Sequence, residues 1–150
     1  MTPITGTEIV SAVCTQLASI WDFPIYNERI DQDFQEPCFF VWCSQTRTEP
    51  VVWPRFEQRH DIEVRFYPDN VHDQNSTAAV KSIQLIECLH RILIPRNDST
   101  PLPVFAQNYS SRIVDDALVF SVQYRTEGYF YETPAPKMGD LQDTIQSKEG

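Results

Sequence analysis

The stretch from residue 56 to residue 67, FEQRHDIEVRFY, alternates between apolar and charged side chains and restricts the folds open to this chain. Successive side chains of a β-strand point to opposite faces of the sheet, so the pattern predicts one buried face and one charged face. The predicted buried face, in which Gln58 is the polar exception, carries Phe56, His60, Ile62, Val64 and Phe66. The opposite face carries a charged ladder of Glu57, Arg59, Asp61, Glu63 and Arg65.

An amphipathic helix is predicted over residues 8–21. Thr5 followed by Glu8 has the capping-box spacing, in which a hydroxyl and a carboxylate satisfy free backbone amides at the start of a helix. The helix should stop before Pro24. Its apolar side carries Ile9, Val10, Val13, Leu17, Ile20 and Trp21.

A second amphipathic helix is predicted over residues 76–93 and should be ended by Pro95. Residues 104–114 and 118–131 follow as two extended segments joined by a polar turn, which predicts an antiparallel hairpin. The apolar side of the second helix carries Ala79, Ile83, Leu85, Ile86, Leu89 and Leu93.

The segment between the first helix and the charged strand contains further extended structure. Residues 24–26 are predicted to be a short extended piece. Residues 38–43 are apolar on both alternating faces, which predicts a strand that is central in its sheet. Residues 44–55 contain Pro50 and Pro54 and are predicted to form an irregular loop.

These elements predict one α+β domain over residues 1–132, with both helices packed on one face of a mainly antiparallel sheet. A chain of 150 residues with 41% apolar side chains is long enough to bury a core of this kind. Residues 133–150 have too few apolar side chains to fold alone and are predicted to be a flexible tail.

The net charge of −9 and a pI near 4.7 argue against tight binding to nucleic acid, and neither helix is basic. No secretion signal or membrane-spanning run is present, so we expect the protein to stay in the cytoplasm where it is made. The chain shows no export signal, which predicts reduced thiols. The cysteines contain no C-x-x-C and the histidines are isolated, which predicts no structural metal site. The cysteines are Cys14, Cys38, Cys43 and Cys88.

Catalytic motifs are absent from the sequence. With four glycines, neither G-x-S-x-G nor a phosphate-binding glycine loop can be written. His60 and Asp61 are adjacent on a predicted strand and point to opposite faces, so they cannot act as a base and its orienting carboxylate. A small metal-dependent hydrolase remains as an alternative, with a site assembled from Asp115, Asp116 and His60.

The predicted loop before the charged strand combines Arg47, Trp53, Arg55 and Phe56, a mixture of arginine and aromatic side chains that is typical of protein interfaces. Two interpretations stay open, because Trp53 can also fold back as a lid on its own core. The charged ladder is likewise either a solvated sheet face or a surface that meets a neighbouring subunit or an aqueous channel.

Five segments occur in a characteristic order: FPIYNERIDQDFQEPCFFV, RFEQRHDIEVRFYP, ECLHRIL, DDALVFSVQYRTEGY and PAPKM. In this order and spacing, residues 8–138 resemble the small tail terminator proteins of phages and prophages of Gram-positive bacteria. The most specific pieces are residues 37–41, 60–68 and 136–138. Two features depart from the family pattern: the low lysine content and the segment RNDSTPLP, which looks like an insertion. Both affect the surfaces expected to face partners and not the expected fold.

The resemblance implies a structural protein that is not an enzyme and needs no cofactor. Six copies would form a ring on the last ring of the tail tube, stop tube growth and offer a surface for head–tail joining. The implied partners are other copies of the chain, the tail tube protein, the head–tail connector or stopper protein and, in a contractile tail, the sheath protein. DNA would only pass through the lumen.

The implied location is the virion, at the head–tail junction, after synthesis in the host cytoplasm. We expect partner contacts from residues 47–55, from the charged ladder and from the tail after Thr133, which includes Lys137 and Met138. The nearest alternative is a head-side connector, stopper or minor capsid protein of the same particle, because that protein would also be small, acidic and ring-forming.

Overall fold

A computed structural model describes residues 3–27, 35, 37–68, 74–96, 99–115 and 117–129. It contains two helices and six strands along this part of the chain. Their bounds are α1 Gly6–Ala18, β1 Ile25–Tyr26, β2 Cys38–Pro50, β3 Arg55–Tyr67, α2 Gln74–Leu89, β4 Arg91–Arg96, β5 Ser99–Val114 and β6 Ala117–Tyr129.

The strands form one mixed sheet in the order β1-β2-β3-β6-β5-β4. The β1–β2 pair is parallel and every other pair is antiparallel. Side chains from both helices and from one face of the sheet share a single hydrophobic core. The predicted α+β class, with a mainly antiparallel sheet and two helices, is confirmed.

Helix α1 begins at the predicted capping box. The Glu8 backbone N–H donates to Thr5 Oγ1 at 3.2 Å, and the Thr5 backbone N–H donates to Glu8 Oε1 at 3.0 Å. The apolar stripe of α1 contributes Ile9, Val13 and Leu17 to the core, and each of these side chains is fully buried. The helix ends at Ala18, earlier than predicted, and Ile20 lies beyond it and is 58% exposed. Local capping and tertiary burial therefore agree on where this helix begins and which side faces the sheet.

The alternation in β3 is confirmed by its neighbours. Ile62, Val64 and Phe66 lie opposite Val122, Phe120 and Leu118 of β6, and all six side chains are buried. The prediction that residues 38–43 lie inside the sheet holds at Phe39 and Phe40, which pair with β1 on one side and β3 on the other. The polar turn of the β5–β6 hairpin is confirmed at Asp115, whose φ of 49° is in the left-handed region that Asp tolerates.

The prediction of an irregular loop over residues 44–55 is wrong for most of its length. Strand β2 continues to Pro50, with a register shift between Cys43 and Gln45, and only residues 51–54 form the turn into β3. The polar composition suggested a loop because the side chains of residues 44–50 are exposed, and this half of β2 lies at the edge of the sheet. Their backbone hydrogen bonds come from pairing with β3, which the local sequence does not reveal.

The second helix is shorter than predicted and ends at Leu89. Residues 91–96 instead form the edge strand β4, in which Ile92 and Ile94 are buried while Leu93 is 41% exposed. Pro95 therefore lies in a strand, where it is tolerated because the strand is at the sheet edge. The segment that looked like an insertion supplies the start of β5, with Leu102 paired to Ile94.

The predicted apolar side of α2 is only partly buried. Leu85 and Leu89 are fully buried, whereas Ile83 and Ile86 are 61% and 37% exposed. At 3.6 residues per turn, Ile83 points about 160° away from Leu85, so the predicted stripe was too broad to face one surface. Helix α2 therefore carries a buried edge and a separate exposed apolar edge that also includes Val80.

Candidate functional site

The β2–β3 hairpin ends in an exposed apolar turn, residues 51–54, which we name the arm tip. Val51, Val52 and Trp53 are 49%, 66% and 71% exposed. The turn is closed by the Val51 N–H donating to the Arg55 carbonyl at 3.0 Å and the Arg55 N–H donating to the Val52 carbonyl at 2.7 Å. Trp53 does not fold back as a lid on the core.

The remaining predicted residues of this segment lie in different environments. Arg47 is exposed on β2 opposite Arg59, and Arg55 begins β3. Phe56 is buried at 3% exposure and packs against Gly128, so it contributes to the core rather than to the surface. Of the two aromatic side chains predicted at this surface, Trp53 is therefore exposed and Phe56 is buried.

The lower half of the charged ladder forms a continuous ion-pair network with β6. Glu57 Oε2 lies 2.8 Å from Arg59 Nε, and Glu57 Oε1 lies 2.9 Å from Arg125 Nε. Arg125 Nη2 in turn lies 2.7 Å from Glu127 Oε2, and Glu127 Oε1 lies 3.4 Å from Arg55 Nη2. Hydrogen bonds from Arg59 and Arg125 hold the pKa of the Glu57 carboxyl below its ordinary value.

The upper half of the ladder is also satisfied within the chain. Arg65 Nε lies 3.0 Å from Glu63 Oε2, and the Arg65 guanidinium lies over the Trp42 ring at 5.3 Å. Asp61 accepts a hydrogen bond from the Gln123 amide at 2.9 Å. Except for Asp61, whose partner is a neutral amide, the acidic and basic side chains of the ladder are therefore paired inside one subunit, although the whole chain carries −9.

The sheet splits near its end and leaves a groove. Strand β5 leaves β6 at the register shift between Ala106 and Asn108, and its earlier residues pair with β4 instead. A cleft of about 340 Å³ opens between β5 and β6. We name it the groove; its lining includes Leu102, Pro103, Phe105, Arg125, Thr126 and Glu127.

His60 has a structural environment and is not part of a catalytic constellation. It is fully buried, with Nδ1 3.2 Å from Thr46 Oγ1 and Nε2 3.0 Å from Thr126 Oγ1. Burial lowers its pKa and favours the neutral ring. The Thr46 contact was not predicted, because it needs the long form of β2.

The proposed hydrolase site is not assembled. His60 lies opposite Tyr124, whereas Asp115 lies beside Ala117 at the other end of β6. Seven residues of strand separate these positions, which corresponds to about 23 Å. Asp116 lies outside the described residues. Over the described part of the chain, no three His, Cys, Asp or Glu side chains form a group suited to a metal ion.

Part of the predicted contact surface lies outside the described residues. Lys137, Met138 and the whole predicted tail over residues 133–150 lie outside the described residues. Within the described ranges, no helix has both the length and the hydrophobicity needed to cross a bilayer. Sequence reasoning missed the groove and the ladder partners Arg125 and Glu127, although their period-2 spacing in β6 was a usable signal.

This small α+β domain has an exposed apolar arm tip, a groove and a sheet face with paired charges, which are features typical of proteins that contact other proteins. A family model described as phage tail terminator protein matches residues 8–136. The chain therefore belongs to the phage tail terminator family and is a structural component of the phage tail within the virion.

A solved structure supports the fold. The chain is similar to one in a structure titled "Virion of native gene transfer agent (GTA) particle", with 14% sequence identity and a TM-score of 0.52. The match covers 80% of this chain and 95% of that chain. At this identity the likeness concerns the fold alone. No curated protein matches the sequence.

Proposed function

We propose that this protein caps the last ring of the tail tube, stops tube polymerisation and provides the surface to which the head is joined. The observation that carries the proposal is the family match over residues 8–136, which spans nearly all of the described chain. In this proposal the protein acts as a homohexameric ring at the neck of the virion, and no bond is made or broken.

The charge distribution supports a role around passing DNA. A net charge of −9 keeps the ring from holding the phosphate backbone, because a basic lumen would bind DNA and slow its transit. The paired ladder supports close packing of subunits, since a surface whose charges are already paired can approach another surface without leaving an unpaired ion buried.

The proposed partners are the tail tube protein on one side of the ring and the head–tail connector or stopper protein on the other. In a contractile tail the end of the sheath would also meet the ring. The arm tip, with its exposed Trp53, and the tail after Thr133, with Lys137 and Met138, are the proposed segments that contact the tube, the sheath or a neighbouring copy of the chain.

Tail length in a host that lacks the protein tests the proposal. We expect overlong tubes that never acquire heads, measured by electron microscopy, because nothing then stops addition of tube rings. The wild-type chain supplied in trans should restore normal length, and so should Ile20→Ala, which removes an exposed apolar side chain just after α1. Tails of normal length without the protein would contradict capping.

The same particles distinguish a tail terminator from a head-side connector. Isolated tubes should co-purify with the protein even when heads are absent. If the protein instead stays with the portal of tail-less heads and is never found with tubes, it is a head-side connector and not a tail terminator.

A further inference from the structure

The arm tip and the groove lie at the same end of the sheet but on different strands. Arg55, the residue after the arm tip, is paired with Tyr129 at the end of β6, and the groove is lined by Arg125 and Glu127 a few residues earlier. Strand β6 lies between the two features. With Trp53 71% exposed, the arm tip does not fill the groove of its own subunit.

The groove offers both apolar surface and a strand edge. Phe105 is 55% exposed beside Leu102 and Pro103, which gives one wall an apolar character. Over the described residues, positions 125–129 of β6 pair with β3 on one side and with no strand on the other. Backbone N–H and C=O groups on such an edge are available to an incoming extended segment.

Size and charge match the groove to the arm tip. A cleft of about 340 Å³ is at the small end of the range for binding pockets, so it accepts a few side chains rather than a folded domain. Residues 51–54 carry no charge, and Arg125 and Glu127 in the groove already pair with each other. Docking the tip would therefore bury no unpaired ion.

We propose that the arm tip of one copy docks in the groove of the next copy. Each subunit then presents one tip and one groove, which is a heterologous interface, and such an interface closes into a ring when the rotation between neighbours allows it. The ring itself rests on the proposed function; the tip-to-groove contact is a further claim about which residues build it.

Mixing two variants tests the contact. Trp53→Ala damages the tip and keeps the groove, whereas Phe105→Glu damages the groove and keeps the tip. We expect each variant alone to assemble at least tenfold more weakly than the wild type in a light-scattering dilution series. Their equimolar mixture should form a complex of about twice 17.4 kDa and stop there, because the two remaining surfaces of the pair are both damaged.

Circular dichroism establishes that each variant is folded, and Ile20→Ala is the matched control, which should assemble like the wild type. The proposal is overturned if a folded variant assembles normally, or if the mixture of folded variants stays monomeric. A wild-type chain that is monomeric at its highest soluble concentration also overturns it, and leaves capping of the tube as a separate question decided by tail length.

A cysteine pair provides a second measurement that does not depend on Phe105→Glu folding. Gln107 also lines the groove. A Val52→Cys chain mixed with a Gln107→Cys chain should therefore form an intermolecular disulfide when oxidised glutathione is added. Gln84→Cys, at an exposed position on α2, replaces Gln107→Cys in the control mixture and should give only background cross-linking. Equal yields from the two mixtures would count against the tip-to-groove contact.

Discussion

At the scale of single residues, His60 illustrates how the core accommodates a polar side chain. Both of its ring nitrogens face threonine hydroxyls, from Thr46 on β2 and Thr126 on β6, while the ring itself is fully buried. One hydroxyl donates and the other accepts, so the neutral ring satisfies both contacts. A protonated ring would place a charge where there is no solvent to stabilise it.

His60 should make the folded state sensitive to acid. Burial depresses its folded pKa below the ordinary value of about 6.5, so the unfolded chain takes up the proton first as pH falls. The contribution of His60 to the free energy of unfolding should therefore be fully present well above about pH 6.5 and decrease below it, by at most about 1.4 kcal/mol per pH unit. Denaturant unfolding across pH measures the slope.

The comparison variant is His60→Gln, which keeps hydrogen-bonding groups but does not titrate in this range. We expect its stability to fall less steeply between pH 6.5 and 5 than that of the wild type, because only the wild-type side chain takes up a proton in this range. Identical slopes for wild type and His60→Gln would show that the buried ring does not control acid stability.

At the scale of elements, close contacts fix how strands and helices sit together. The Lys81 ammonium of α2 lies 4.7 Å from the centre of the Trp21 ring and 4.8 Å from that of Phe66, with Phe23 at 5.4 Å. Burial lowers the pKa of this lysine, and the ring faces offset part of the desolvation. The helix is therefore anchored by a cation as well as by Leu85 and Leu89.

The β3–β6 pair depends on a glycine. Phe56 lies opposite Gly128, and a Cβ added at Gly128 would be 2.7 Å from Phe56 Cζ. Gly128→Ala should therefore destabilise the protein by about 1–3 kcal/mol in denaturant unfolding, because the ring is buried and has little room to move. Adding Phe56→Leu should recover part of that loss, so a strictly additive double mutant would refute the proposed clash.

At the scale of the whole molecule, the net charge opposes association between copies, whereas the locally paired charges permit it. Each copy carries −9, so copies repel at long range, yet the ladder and the arm tip present neutral or internally paired surfaces. Assembly driven by such surfaces should be opposed by long-range repulsion, which salt screens.

We therefore expect self-association to strengthen as salt is raised from about 0.05 to 0.5 M, at which the Debye length is only a few ångströms. The assembled species should approach six times 17.4 kDa, near 104 kDa, by light scattering. Dissociation by salt would instead indicate that ion pairs hold the subunits together, and would favour the charged ladder as a bridge between copies.

Some helices and strands of this fold can be predicted from a single sequence and others cannot. The capping box of α1, the alternation of β3 and the α+β class follow from local patterns, because capping and side-chain periodicity are short-range effects. The length of β2, the end of α2 at Leu89 and the existence of β4 do not, because an exposed polar edge and a short apolar run take their structure from the strand that pairs with them.

The candidate binding surfaces also divide into features that the sequence predicts and features that it does not. The sequence by itself determined that this chain has a charged sheet face, a cluster with Trp53 and no motif for catalysis. Only the tertiary structure decided that Arg125 and Glu127 extend the ladder into an ion-pair network, that Trp53 is exposed while Phe56 is buried, and that a groove opens between β5 and β6. Each of these depends on residues far apart in the chain, whose distances are set by strand pairing and not by spacing along the sequence.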